Sequence, residues 1–182
     1  MGAKVVSFRI IRFPGARVVG KSIKIKEPTS IDDPTAGNLQ ELMKNDGHYA
    51  FLLSLTEKFT QNADTVGWQG DWNPGDSSYT YLAGVLFKPG ACVPDGYECR
   101  DILPCEMAVA HFQECDGDEG GDLFGDASGN LARVRDENGY AYDSGCGFFE
   151  MEYYSEERFA IAKNQGEKHV GLDFYSPCKK AL

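Results

Sequence analysis

A chain of 182 residues that is 42% hydrophobic can bury one sizeable core or two small fused ones. Its formal net charge of −10 and pI near 4.7 create a field that repels nucleic-acid backbones and anionic lipid, so neither direct nucleic-acid binding nor a membrane surface is expected. No apolar run approaches the roughly 20 residues that cross a bilayer. The start "MGAKVVSFRIIRF" carries no signal-peptide cleavage pattern, so a cytoplasmic location is expected.

In chain order, "KVVSFRIIRF" alternates at period two, Pro14-Gly15 turns, and "ARVVGKSIKIK" alternates again before "EPTSIDDPTAGN" breaks the pattern. Residues 1–26 hold seven Lys or Arg and no acid, interleaved with Val, Ile and Phe. That interleaving reads as the wet face of edge strands. A helical stripe follows: Leu39, Leu42 and Met43, an interruption at Asp46-Gly47, then Leu52, Leu55 and Phe59. "ADTVGWQGDW" and "SSYTYLAGVLF" form a hairpin around Asn73-Pro74-Gly75-Asp76. After the joining segment "KPGACVPDG", "GYECRDIL" and "EMAVAHFQEC" flank Pro104, a weaker helix covers roughly 122–138, and "GFFEMEYY" and "VGLDFYSPC" close the chain.

The order repeats. "FPGARVVG" (13–20) and "LPCEMAVA" (103–110) match at an offset of 90, as do "YTYLAGVLF" (79–87) and "HVGLDFYSP" (169–177). The expected fold is therefore α+β: tandem duplicated units of βαββ type, about 4–88 and 96–180, with antiparallel sheets and one helix apiece.

"GFFEMEYYSEERF" (147–159) is the most pointed stretch, with five aromatic and four acidic residues in thirteen positions. In a strand, Phe148, Glu150, Glu152 and Tyr154 share one face, and Phe149, Met151 and Tyr153 the other, which reads as core. A carboxylate held among aromatics is a receptor for a cation, with its pKa raised by desolvation until one arrives. The alternative is a half-wet strand with both glutamates in water. Trp68 and Trp72 lie four apart on one strand, and Tyr79 and Tyr81 share a face of the next; they form either an aromatic wall for a flat or cationic ligand or plain core.

These motifs resemble GyrI-like domains, the effector-binding domains of AraC-type and MerR-type transcription regulators. "FFEMEYYSEERF" is similar to their F-E-x-Y motif, "YTYLAGVLF" to their Tyr-Leu-x-Gly strand, "GYECRDILPCEMAVAHF" to the segment after the midpoint, and "GLDFYSPCKK" to the closing strand with its Tyr-x-Pro stop, here Tyr175 to Pro177. The resemblance runs from Val5 to Lys180. It implies a pseudo-twofold pair of units with an aromatic-lined groove for hydrophobic or cationic small molecules. In that groove Glu152 is the central carboxylate, Glu150 its substitute should the register slip, and Trp68, Trp72, Tyr79, Tyr81, Phe148, Tyr154 and Tyr175 are candidate ligand-binding residues. Some stand-alone members hydrolyse cyclopropane-bearing genotoxins with a Trp and this Glu, which would make Trp68 or Trp72 and Glu152 catalytic, the carboxylate serving as general base. Others act as protein-interaction modules, such as gyrase inhibitors, so a protein partner is a third reading. The regulators carry a helix-turn-helix ahead of this domain. Here the first strand begins near Lys4, so this chain is not expected to switch a promoter by itself.

Neither a cofactor nor a metal site is expected. Asp116, Asp118 and Gly121 match the start of an EF-hand, but Gly120 and Ala127 stand where ligands are required. The Asp- and Gly-rich stretch 116–130 reads as a solvated loop or a lid over the groove. His48, His111 and His169 lie on different elements and read as structural. The six cysteines, Cys92, Cys99, Cys105, Cys115, Cys146 and Cys178, show no metal spacing and read as reduced thiols. Cys99 and Cys105 could act as nucleophiles only beside a base.

Overall fold

The computed structural model describes residues 4–26, 33–113, 127–166 and 170–181. It divides into two compact units: a contiguous one, Pro14–Pro104, and a split one that combines the first strand with the chain from Cys105 onward.

In the contiguous unit, β2 (Ala16–Lys26), β3 (Thr65–Asn73), β4 (Ser78–Phe87) and β5 (Glu98–Ile102) form an antiparallel sheet in the order β3-β4-β2-β5. Its helical stripe is split in two, as Asp46-Gly47 predicts. Helix α1 (Ala36–Asn45) starts at a capping box in which Thr35 and Asn38 satisfy each other's backbone N–H groups, and α2 (His48–Ser54) restarts after Gly47, whose φ of 76° few other residues adopt. Leu39, Met43 and Leu52 press from these helices onto Val19, Ile25, Tyr81, Ala83, Val85 and Phe87. Leu42 points outward at 43% exposure, so the stripe is narrower than its spacing predicts. Gly20 and Gly84 face each other across β2 and β4, and a Cβ on either would run into the partner strand's backbone.

In the split unit, β1 (Lys4–Phe13), β6 (Cys105–Gln113), β9 (Gly171–Lys180) and β8 (Phe148–Tyr154) form an antiparallel sheet in that order, with the short β7 (Tyr140–Tyr142) also paired to β9. Helix α3 (Ala127–Glu137) covers one face, placing Ala127, Leu131 and Val134 against Ala108, Ala110, Phe112, Leu172, Phe174 and Cys178. A π-type turn at Glu156–Ile161 leads from β8 towards β9.

The α+β class, the antiparallel sheets and the duplicated order of elements are those expected. The Pro turns behave differently from hairpins. Strand β1 pairs with β6, and β2 pairs with β5. The chain thus passes from one unit to the other at Phe13-Pro14 and again at Pro104-Cys105, and the compact units are not the contiguous stretches 4–88 and 96–180. Strand β1 lies at a sheet edge, where basic side chains are expected. Strand β2 lies inside, and two of its four cations are tied down: Arg17 forms a two-pronged bridge to Asp101 at 2.7 and 2.8 Å, and Lys21 donates to the Gly96 carbonyl at 2.6 Å. Of the Asp- and Gly-rich stretch, residues 114–126 lie outside the described residues, as do Cys115 and His169.

Candidate functional site

Strand β8 pairs with β9 so that Glu152 stands opposite Phe174, while Met151 and Tyr153 stand opposite Tyr175 and Asp173. Phe174 and Tyr154 belong to the cluster under α3. The face bearing Phe148, Glu150, Glu152 and Tyr154 is therefore the helix-covered one, since side chains directly opposite across a ladder share a face. Both glutamates are buried, Glu150 at 8% exposure and Glu152 at 6%, which excludes the half-wet strand. The other face, expected as core, is the more open at Phe149 and Tyr153, both half-buried, and closed at Met151.

Each carboxylate accepts from a hydroxyl. The Tyr154 OH, two residues along the same face, donates to Glu152 Oε2 at 2.6 Å. The Ser128 hydroxyl, on the first turn of α3, donates to Glu150 Oε1 at 2.7 Å. Burial pushes the Glu150 acid group above its ordinary range, and the Ser128 bond only partly opposes it. Aromatic rings complete the setting. Phe159 meets Tyr154 edge-on with centroids 4.8 Å apart, Phe174 meets Phe112 edge-on at 5.2 Å, and Phe148 is 2% exposed. Burial among these rings makes the ionised form of a carboxyl group costly, which is the cause of the raised Glu150 pKa.

The remaining candidates separate. Tyr175 sits on the face away from α3, tilted against Tyr153 at 5.3 Å, and so does not share a side with Glu152. Tyr81 stands opposite Gln69, whereas Trp68 stands opposite Leu82, so the tyrosines of β4 and Trp68 lie on opposite faces of that sheet. Tyr81 and Tyr79 belong to the core beneath α1 and α2, where the Gln40 amide donates to the Tyr81 OH at 2.8 Å and Tyr49 donates to the Gln40 carbonyl. Trp68 is 3% exposed on the helix-free face, with the Arg100 guanidinium 5.7 Å from its ring centre. Trp72 is 51% exposed and does not continue the Trp68 face, because a bulge between Gly70 and Asn73, with Asp71 at a φ of 55°, breaks the alternation. The aromatic wall expected from four residues on two strands is therefore not formed.

Sequence reasoning missed Ser128, Phe159 and Phe174. Phe159 lay within the quoted aromatic-acidic stretch. Phe174 was findable from the alternation of "GLDFYSP" once its pairing with β8 was known, whereas Ser128 had no local signal. Burial, with Cys146 alongside, pushes the Cys105 thiol up to about 12, which removes it as a nucleophile. Among the described residues no group of three or more His, Cys, Asp or Glu is placed to hold a metal ion, and no helix is long and apolar enough to cross a membrane.

No family model matches the sequence, and no curated protein matches it. Solved structures do. SAV2435, in a structure bound to tetraphenylphosphonium, has a TM-score of 0.64 at 10% identity over 96% of this chain and 94% of that one. A candidate transcription regulation protein of Staphylococcus aureus MU50 gives 0.62 at 12% identity, over 95% and 98%. The C-terminal domain of EcmrR gives 0.58 at 11% identity, over 96% and 98%. At such identities the likeness shows the fold, and that fold is the one the resemblance to GyrI-like effector-binding domains implied.

Proposed function

We propose that the chain is a small-molecule-binding protein of the effector-domain kind, which takes hydrophobic cations through Glu152 with Glu150 beside it. The observation that carries the reading is one seven-residue strand with two glutamates at 6% and 8% exposure, each held by a hydroxyl and set among Phe148, Tyr154, Phe159 and Phe174. Core strands rarely carry two carboxylates on a covered face, because each costs several kcal/mol to desolvate, of order 2–7 for polar groups and more for charges. A bound cation repays that cost, and the rings add cation–π attraction of roughly 0.5–2 kcal/mol. The likeness to SAV2435, whose structure holds tetraphenylphosphonium, supports this ligand class. The likeness to the EcmrR C-terminal domain, also seen within a complex of EcmrR with DNA, supports a regulatory setting in which occupancy is reported to a partner.

Calorimetric titration with tetraphenylphosphonium tests this. Saturable binding to the wild type should weaken about tenfold or more in Glu152→Gln, the ~1.4 kcal/mol of one desolvated charge contact. Equal affinity in the two proteins would remove Glu152 from recognition.

A further inference from the structure

On the face of the split unit away from α3, a different cluster surrounds Asp173, whose side chain is fully buried at 0% exposure. Its Oδ1 bonds His111 Nδ1 at 2.5 Å, and its Oδ2 accepts from both Arg158, at 2.5 Å, and Arg9, at 3.4 Å. These groups come from three strands and the π-type turn: β1 gives Arg9, β6 His111, β9 Asp173, and the turn after β8 Arg158. The ladder brings them together, since His111 stands opposite Asp173 and Arg9 stands opposite Val109 in the next row. Gly171 makes the His111 position possible: a Cβ there would meet the ring, with Nε2 only 2.7 Å away.

Among the described residues of this cluster the charges do not balance. One carboxylate faces two guanidiniums that touch the same oxygen, and each arginine side chain remains 43% exposed. The two guanidinium groups touch one oxygen, at 2.5 and 3.4 Å, so both forks converge on the same point, and such forks match the oxygens of a phosphate. Each fork has five N–H donors, and a single shared oxygen occupies few of them. In a chain of net charge −10, a solvent-facing surplus of positive charge held in place by a buried carboxylate is a built feature.

We infer that Arg9 and Arg158, braced by Asp173 and flanked by His111, form a binding site for a phosphate group, either free phosphate or a phosphate monoester. The site lies on the opposite sheet face from Glu152 and does not depend on the cation reading.

Titration calorimetry with inorganic phosphate and with glycerol 1-phosphate, at ionic strength fixed with potassium chloride, tests it. Both arginines are half exposed, so Arg9→Gln and Arg158→Gln should keep the wild-type circular dichroism. Arg158→Lys serves as the second variant, because it keeps the charge but loses the fork. Saturable binding in the wild type that weakens about tenfold or more in each Gln variant, and measurably in Arg158→Lys, is expected. The tighter of the two ligands identifies the source of the phosphate. Heat that does not saturate, or affinity unchanged in Arg158→Gln, would overturn the inference and leave the arginines as partners of Asp173 only.

Discussion

Replacing Asp173 by Asn removes the one negative charge that three basic side chains share, while leaving shape and volume nearly unchanged. Hydrogen bonds to a charged group contribute about 1.5–3 kcal/mol each, and removing one partner of a buried ion pair costs about 3–5 kcal/mol. Two features reduce the total. Arg9 and Arg158 are each 43% exposed and regain water when the charge is lost, and the Asn carbonyl can still accept one of the bonds. The expected loss is therefore about 3 kcal/mol, or roughly 6–12 °C in Tm at the 2–4 °C per kcal/mol typical of 150–250 residues. Urea denaturation at pH 7 measures it. The pH dependence gives a second check. Burial alone would raise the Asp173 pKa, but the His111 bond and the charges of Arg158, His111 and Arg9 outweigh it and hold the carboxyl below its ordinary 3.8. A depressed acid contributes stability that is present above the unfolded-state pKa and lost as pH falls through the folded-state one, so the gap between wild type and Asp173→Asn should close below about pH 4. A loss under 0.5 kcal/mol at pH 7, or a gap that does not narrow as pH falls below the ordinary 3.8, would contradict this.

Three further outcomes follow from the same geometry. Glu150→Gln should be more stable than the wild type at pH 7–8: a raised acid contributes stability only below its ordinary 4.5, so the advantage should vanish by about pH 4 in a denaturation series. Gly20→Ala places a Cβ against the Ala83 carbonyl, a backbone neighbour that cannot yield, and β2 should separate from β4 with more than the ~1–3 kcal/mol of ordinary overpacking, read as loss of the cooperative thermal transition. Thr35→Ala removes the α1 capping box and should cost about 1 kcal/mol, measured by urea denaturation, while leaving ligand titrations unchanged.

Local features were the legible part of the fold. Alternation marked the strands, the Asn73–Asp76 turn marked the hairpin, and Gly47 marked the helix break, because each follows from backbone preferences of a few residues. The exchange of strands, β1 to β6 and β2 to β5, was hidden because alternation does not name a partner. Assignment of faces failed where strands are buried on both sides. All of β4 except Tyr79, and eight of the ten residues of β9, are buried, so period two cannot say which face meets a helix. Tyr79 and Tyr81 share a face as the alternation implies, and the core alternative is the one formed, whereas Trp72 leaves the Trp68 face because the bulge at Asp71 needs a φ that no local pattern announced. Burial of the glutamates was one of two readings that the sequence left open, since acid in an aromatic strand fits a half-wet face as readily as a covered one, and only the pairing with β9 decides between them. The Asp173 cluster was not, since its four charged or titratable members lie as far as 164 positions apart.

Whether the carboxylates buried under α3 recognise a cation is tested most directly by titration of wild type, Glu152→Gln and Glu150→Gln with tetraphenylphosphonium. Saturable wild-type binding at pH 7.5 is expected, weakened about tenfold or more by Glu152→Gln and less by Glu150→Gln. Binding of equal strength in all three proteins, or none in the wild type, would contradict it.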